Sequence, residues 1–177
     1  VPERAEDRPG ARYSVRALPP YRYLPGRAPH PTRDPLGHSF GRHAHPQIDF
    51  DPARWSECEQ YLYGIDLFNL RYWWEAHEAL EAVWIAAGRT TMTGLFVQGL
   101  IQIAAAMLKT ELGHASGAAR LADEGLDKLA LGGVRCLGID VAALAAAVRS
   151  VLGTGCAQDL PRIELRFDRA ARSANDA

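Results

Sequence analysis

From Phe68 to Trp84 the chain reads FNLRYWWEAHEALEAVW, with no glycine or proline and mostly residues that favour or tolerate a helix. At helical spacing Trp73, His77, Glu81 and Trp84 fall on one side, so an imidazole and a carboxylate share a face with two indoles. The same periodicity predicts four more helices around this one. Asp51-Pro52 opens the first, a capping acceptor followed by proline, and Trp55, Cys58, Tyr61, Leu62, Ile65 and Phe68 form its apolar stripe. The second covers Leu70 to Ala86, with Gly88 just beyond its end. A third, capped by Thr90 or Thr91, spans Thr93 to Leu112 and is apolar nearly all round, as expected of a central helix. Gly94 and Gly99 weaken it, and close helix–helix approach is the usual compensation. Ser116 is the expected cap of a fourth helix ending near Leu131, and Asp140 caps an alanine-rich fifth ending near Leu152.

The flanks have other patterns. Residues 1–47 hold nine of the eleven prolines, which fixes φ, removes donors and argues against helix or central strand. Tyr13, Leu18, Tyr21, Tyr23, Leu24 and Phe40 are scattered through it, so an extended arm anchored on the bundle by its aromatics from Leu18 onward is expected. The first dozen residues are expected to be disordered. At the other end, PRIELRF alternates with period two and lays Ile163, Leu165 and Phe167 on one side, before a frayed tail from Arg169. The organisation is thus an arm (1–47), a helical domain (48–155) and an extended terminal segment (156–177). The fold class is all-α, an antiparallel bundle of about five helices with a proline-rich N-terminal arm.

Composition and charge narrow the picture further. At 177 residues with 47% hydrophobic content, one domain with a sizeable core is natural. The formal net charge of −1 conceals an arm with eight arginines against four acids, a balance of +4, and a body at −5. A mildly basic arm without a recognised module makes nucleic acid an unfavoured partner. Gly94 to Leu108 is short for a membrane span and contains Gln98 and Gln102. Cys58, Cys136 and Cys156 are odd in number, widely spaced and form no CxxC pair, which argues against a disulfide framework or cysteine zinc site and for a reducing cytoplasm. VPERAEDRPG has no apolar core of a secretory signal. There is no GxSxG, GxGxxG or P-loop.

Candidate chemistry gathers on the second helix. His77 and Glu81, one turn apart, suit either an oriented imidazole or two metal ligands, with Glu78 beside them as an acid/base. HEALE lacks the second histidine of HExxH, and Glu111-Leu-Gly-His114 supplies only one half of a di-iron spacing. Gln98 and Gln102 repeat the one-turn spacing inside the most apolar helix, where unsatisfied amides cost about 1–3 kcal/mol each. They are therefore expected to face His77 and Glu81 across the contact of helices two and three, with Asn69, Trp73 and Trp84 around the pocket. In the arm His43 and His45 point the same way on an extended chain, as a chelating pair would, and could join His77 and Glu81 in a zinc or iron site. The ordinary alternatives are a packed core histidine at 77, tryptophans used for packing and solvated loop histidines in the arm.

Taken together, Phe68-Asn69, Tyr72-Trp73, Glu75-Ala76-His77-Glu78, Glu81, Trp84, Gly99-Leu100-Ile101-Gln102, Ala104-Ala105, Gly113, Gly117-Ala118 and Arg120-Leu121 resemble the bacterial and archaeal proteins called domain of unknown function 309. The resemblance runs from about Tyr61 to Leu129; His114 departs from it, since the family usually has asparagine there. The arm segment PPYRYLPGRAPHPTRDPLGHS is similar to an extension of some longer relatives. The resemblance implies a cytosolic all-helical bundle, brings no activity, and singles out Asn69, His77, Glu78, Glu81, Gln98 and Gln102. Three functions stand open. The first is binding of a small ligand or partner segment in a His/Glu/Gln pocket between helices two and three. The second is metal-dependent hydrolysis through His77, Glu81 and Glu78 with a divalent ion as cofactor. The third is a scaffold whose apolar helices make a homo-oligomer.

Overall fold

The computed structural model describes residues 12–42, 45–154 and 160–167. The expected disorder of the first dozen residues, the tail, His43 and Cys156 lie outside them, except for Arg12. Five α-helices carry the fold: α1 (Glu59–Asn69), α2 (Trp73–Ala87), α3 (Met92–Glu111), α4 (Ala115–Ala130) and α5 (Val141–Thr154). A 3-10 helix, Pro52–Glu57, precedes α1, and two short strands, β1 (Arg135–Cys136) and β2 (Ile139–Asp140), precede α5. The bundle is all-α, as the periodicity predicts. α3 packs chiefly on α4 and α2, α1 on α2 and α5 on α4, with three- to four-residue links that turn α1 to α4 back on one another. By length and composition α3 could span a bilayer, yet its apolar surface is spent inside the bundle, where Phe96, Val97, Leu100, Ile103, Ala104 and Met107 are buried.

Glycine sets the spacing of the central pair. A Cβ at Gly99 would lie 2.8 Å from the carbonyl oxygen of Gly125 and 3.1 Å from the Leu129 side chain, while one at Gly125 would meet the Gly99 oxygen at 3.0 Å. The two backbones therefore approach where neither carries a side chain. Thr91 caps α3 by accepting from the Gly94 N–H, and Asp140 caps α5 by accepting from the Ala143 N–H at 2.9 Å.

Several boundaries differ from the sequence expectation. The first helix is not continuous from Pro52 to Phe68: Cys58 is extended (φ −81°, ψ 96°) and separates the 3-10 turn from α1. Tertiary packing overrides the helical period here, because Trp55 packs on Phe167 (5.1 Å between centroids) and edge-on to Tyr61. α2 begins at Trp73, since Arg71 takes a left-handed φ of 66°. Ser116 is not the cap of α4; the helix starts at Ala115 with His114 at the cap and no side-chain capping bond.

The β1–β2 hairpin had no alternation long enough to reveal it. It turns through Leu137 (φ 48°) and Gly138 (φ 77°). Leu137 tolerates that strained conformation because its side chain is buried and its carbonyl accepts the Tyr61 hydroxyl at 2.8 Å. The terminal segment is extended as expected, with Ile163 and Leu165 buried and Leu165 bridged to Ile139. Asn69 clasps this segment through both amide groups: Nδ2 donates to the Ile163 carbonyl at 2.8 Å, and Oδ1 accepts the Ile163 N–H at 2.7 Å. Asn69 is thus a brace, not the pocket residue expected of it.

Two substitutions test the fold. Gly99→Ala should destabilise the domain by about 1–3 kcal/mol in urea unfolding, because the backbones at the α3–α4 crossing must part. Gly153→Ala, whose added methyl meets nothing within 4 Å, should be neutral or slightly stabilising. Asn69→Ala should speed amide hydrogen exchange across residues 160–167 by at least tenfold, as two paired bonds of roughly 1 kcal/mol each are lost.

Candidate functional site

The site is built from α1, α2 and the arm. The arm is fastened both by acids of the bundle and by its own aromatics, Tyr13 meeting Phe167 and Tyr23 meeting Trp74. Asp66 of α1, 2% exposed, accepts the N–H groups of Tyr13 and Ser14, both at 2.8 Å, and pairs with Arg12 at 3.3 Å. Glu111 at the end of α3 pairs with Arg22 at 3.0 Å and accepts the indole N–H of Trp73 at 3.0 Å. Glu75 of α2, 4% exposed, accepts the Tyr23 N–H at 2.8 Å through Oε1, which also lies 3.2 Å from His38 Nε2. His38 is itself buried, and its Nδ1 lies 2.9 Å from the Ser39 hydroxyl, so an imidazole proton on Nε2 is directed at the carboxylate. Among the described residues anchoring is therefore already present at Arg12, ahead of Leu18, and Phe40 is largely exposed.

Between the arm and α1–α2 lies a cleft of about 420 Å³. Gln60, Tyr63, Trp74, Glu75, Glu78 and Ala79 contribute from the helices, and Thr32, Arg33, His38, Ser39, Arg42 and His45 from the arm. Arg16 also borders it, stacked 4.2 Å above the Tyr63 ring and donating to Gln60. The Trp74 indole is met edge-on by Tyr23 and His30 at 5.7 and 5.5 Å. Glu75 Oε2 is buried and has no hydrogen-bond partner among the described residues. Burial raises the Glu78 carboxyl above its ordinary range, against the pull of His77 and His45, which favour the carboxylate.

Beside the cleft, His77, Glu78 and Glu81 bring one ligand atom each within 4.8 Å of one another. His77 Nε2 lies 3.6 Å from Glu81 Oε2, and Nδ1 lies 3.9 Å from Glu78 Oε1. His45 of the arm reaches the same Glu81 oxygen at 3.5 Å. The arm thus does fold over α2 and bring a histidine to His77 and Glu81, as the chelating-pair reading anticipates; its companion His43 is outside the described residues.

The expected pocket between α2 and α3 is not formed in the way the spacing suggests. Gln102 Nε2 donates to Glu124 of α4 at 2.9 Å, its Oε1 is buried without a partner among the described residues, and no hydrogen bond there links Gln98 or Gln102 to His77 or Glu81. α2 buries Trp73, Glu75, Ala76, Ala79, Leu80, Ala82 and Val83, which leaves His77 and Glu81 half-exposed to one side. Trp73 is a core residue packed edge-on to Phe68 at 5.1 Å. Trp84 donates to the Arg89 carbonyl and stacks with the Arg89 guanidinium, away from the cleft. Glu111 and His114 do not form half of a di-iron site, because Glu111 is spent on Arg22 and Trp73 and His114 is exposed. Cys136 is half-buried, and burial pushes its thiol up to about 11, far from an activated nucleophile.

Sequence reasoning missed Asp66 and Glu75 as arm anchors and Arg33, Arg42 and Trp74 as cleft residues. The available signal was two acids, at 66 and 75, lying among apolar neighbours of α1 and α2, since such groups stay charged only when paired. Glu75→Ala should leave helical content unchanged by circular dichroism but open the arm. Tryptic cleavage after Arg27, Arg33 and Arg42 should quicken at least tenfold; an unchanged rate would mean that Glu75 does not hold it.

A family model described as Domain of unknown function (DUF309) matches residues 61–121. The match covers α1 from Tyr61 through the first part of α4, and so contains Glu75, His77, Glu78 and Glu81 but none of the arm. No curated protein and no solved structure matches the chain. Residues 61–121 of the chain are thus similar to the domain of unknown function 309 family.

Proposed function

We propose that the protein binds a small molecule in the cleft between its arm and the α1–α2 face, a molecule carrying both a hydrogen-bond donor and an anionic group. One observation carries the reading: Glu75 is among the residues lining the cleft, and its Oε2 is buried without a partner among the described residues. Such an oxygen costs about 1–3 kcal/mol or more unless a donor reaches it, and an ammonium, amide or hydroxyl of a ligand would do so. The anionic end is suggested by Arg33 and Arg42, which line the cleft and have no carboxylate partner among the described residues. Trp74 and Tyr63 add flat apolar surface, and the volume suits a molecule at the small end of the usual ligand range.

A second reading, metal-assisted hydrolysis of the bound molecule, is favoured by Glu78. It lines the cleft beside His77 and Glu81, where a bound cation would face the molecule and could activate a water.

Phosphoethanolamine, which carries an ammonium and a phosphate, is the probe that separates the binding reading from an inert cleft. Isothermal titration should show one saturable site, weaker for inorganic phosphate alone. Affinity should fall at least tenfold in both Glu75→Gln and Arg42→Ala. Absence of binding by phosphoethanolamine, or affinity unaltered in both variants, would remove the proposal as stated.

A further inference from the structure

We infer that His45 of the arm, together with His77, Glu78 and Glu81 of α2, holds one first-row divalent cation at the rim of the cleft. His77 Nε2 and His45 Nε2 stand 3.6 and 3.5 Å from the same Glu81 oxygen, which is too long for the roughly 2.7–3.2 Å of a hydrogen bond. Two ligand atoms on one tetrahedral zinc, each bonded at roughly 2.1 Å, are about 3.4 Å apart. The observed spacing is therefore close to that of groups facing a shared cation and longer than that of groups satisfying each other.

The second support is the origin of the groups. His77, Glu78 and Glu81 lie on one turn of α2, with a ligand atom of each within 4.8 Å of the others, while His45 comes from a separate segment more than thirty positions away. Helical geometry alone would bring the first three together. It would not bring the fourth, which is delivered by an arm fixed at Asp66, Glu75 and Glu111. His45 is close to Glu81 but not within 4.8 Å of all three α2 groups, so it joins them on a cation only through a shift of its ring from the arm side. All four side chains are half-exposed, about a third or less of each being open to solvent, which permits both entry of the ion and the small adjustment that ligation requires.

The donor set is mixed imidazole and carboxylate without thiolate, which suits zinc, iron(II) or manganese(II) over copper(I) or a hard oxygen-only calcium site. Since Glu78 and His45 also line the cleft, a cation there would face any anion bound in it. The inference does not depend on that molecule, because the ligand atoms are assembled by the chain alone.

The test uses the full-length chain without a histidine tag, stripped with a chelator and titrated with Zn²⁺ against a chromophoric competitor, and with Co²⁺ read by visible absorption. One equivalent of metal should bind, with intense Co²⁺ bands between about 500 and 700 nm if the geometry is tetrahedral as for zinc sites. His77→Ala and Glu81→Ala should each weaken binding at least a hundredfold, and His45→Ala at least tenfold. Bound Zn²⁺ should also slow tryptic cleavage after Arg42 in the native chain but not in His45→Ala. Failure to bind one equivalent, or affinity unaltered in His77→Ala or Glu81→Ala, overturns the site. Affinity unaltered in His45→Ala overturns its closure by the arm. Circular dichroism of each variant separates loss of a ligand from loss of the fold. Phosphoethanolamine titration of the stripped chain tests the cleft separately, so failure of one leaves the other standing.

Discussion

A proline-rich segment that forms neither helix nor sheet satisfies only part of its backbone through its own turns, and the N–H groups left over must find acceptors elsewhere. In this arm the N–H groups of Arg27, Asp34, Gly37, Ser39, Phe40 and Arg42 are met by arm carbonyls, whereas those of Tyr13, Ser14, Val15 and Tyr23 are met by carboxylates of the bundle. Asp66 takes two consecutive N–H groups, Glu75 takes another, and Glu111 holds an arginine of the same segment. Each acid in turn needs those donors, since a carboxylate as buried as Asp66 or Glu75 is stable only when hydrogen bonded. The arm and the helices are therefore mutually required. That dependence positions everything on the α1–α2 face: the cleft walls, His38 against Glu75 and His45 against Glu81.

The charge split has a physical meaning in this light. A basic arm lies on an acidic body, but the bonds that hold it are local and largely shielded from water, so they survive screening better than surface ion pairs. The arm also carries unspent arginines into the cleft, where Arg33 and Arg42 face helical acids without forming ion pairs with them among the described residues. The rest of the bundle serves as a rigid support. The Gly99–Gly125 approach locks α3 to α4, and α3 in turn backs α2, the helix on which most of the candidate chemistry stands.

Much of the architecture was legible residue by residue. The Thr91 cap, the Gly88 stop, the Asp140 cap and the buried α3 all follow from local rules. The break at Cys58 and the hairpin at Leu137-Gly138 were not legible, because each is imposed by a distant partner: Phe167 against Trp55, or Tyr61 on the Leu137 carbonyl. The break between α1 and α2 was legible to within a few residues. The candidate site was legible only in half. The one-turn pairing of His77 with Glu81 follows from helix geometry, and the reach of an arm histidine toward it was anticipated from the pairing of His43 and His45. The glutamines were misassigned because spacing gives the face of a helix but not which neighbour that face meets. Gln102 turned out to meet Glu124 of α4.

By itself, then, the sequence determined what depends on nearest neighbours along the chain: helical periods, caps, stops, the unsuitability of the arm for regular structure, and the grouping of His77, Glu78 and Glu81 on one turn. Only the tertiary structure decided which acid receives which N–H, that Asn69 grips the terminal segment and that the cleft lies between the arm and the α1–α2 face. The reason is that a carboxylate or amide is chemically the same in every context, and its role is fixed by the donor that folding carries to it. Those donors come from positions dozens of residues away, beyond the range of any local pattern.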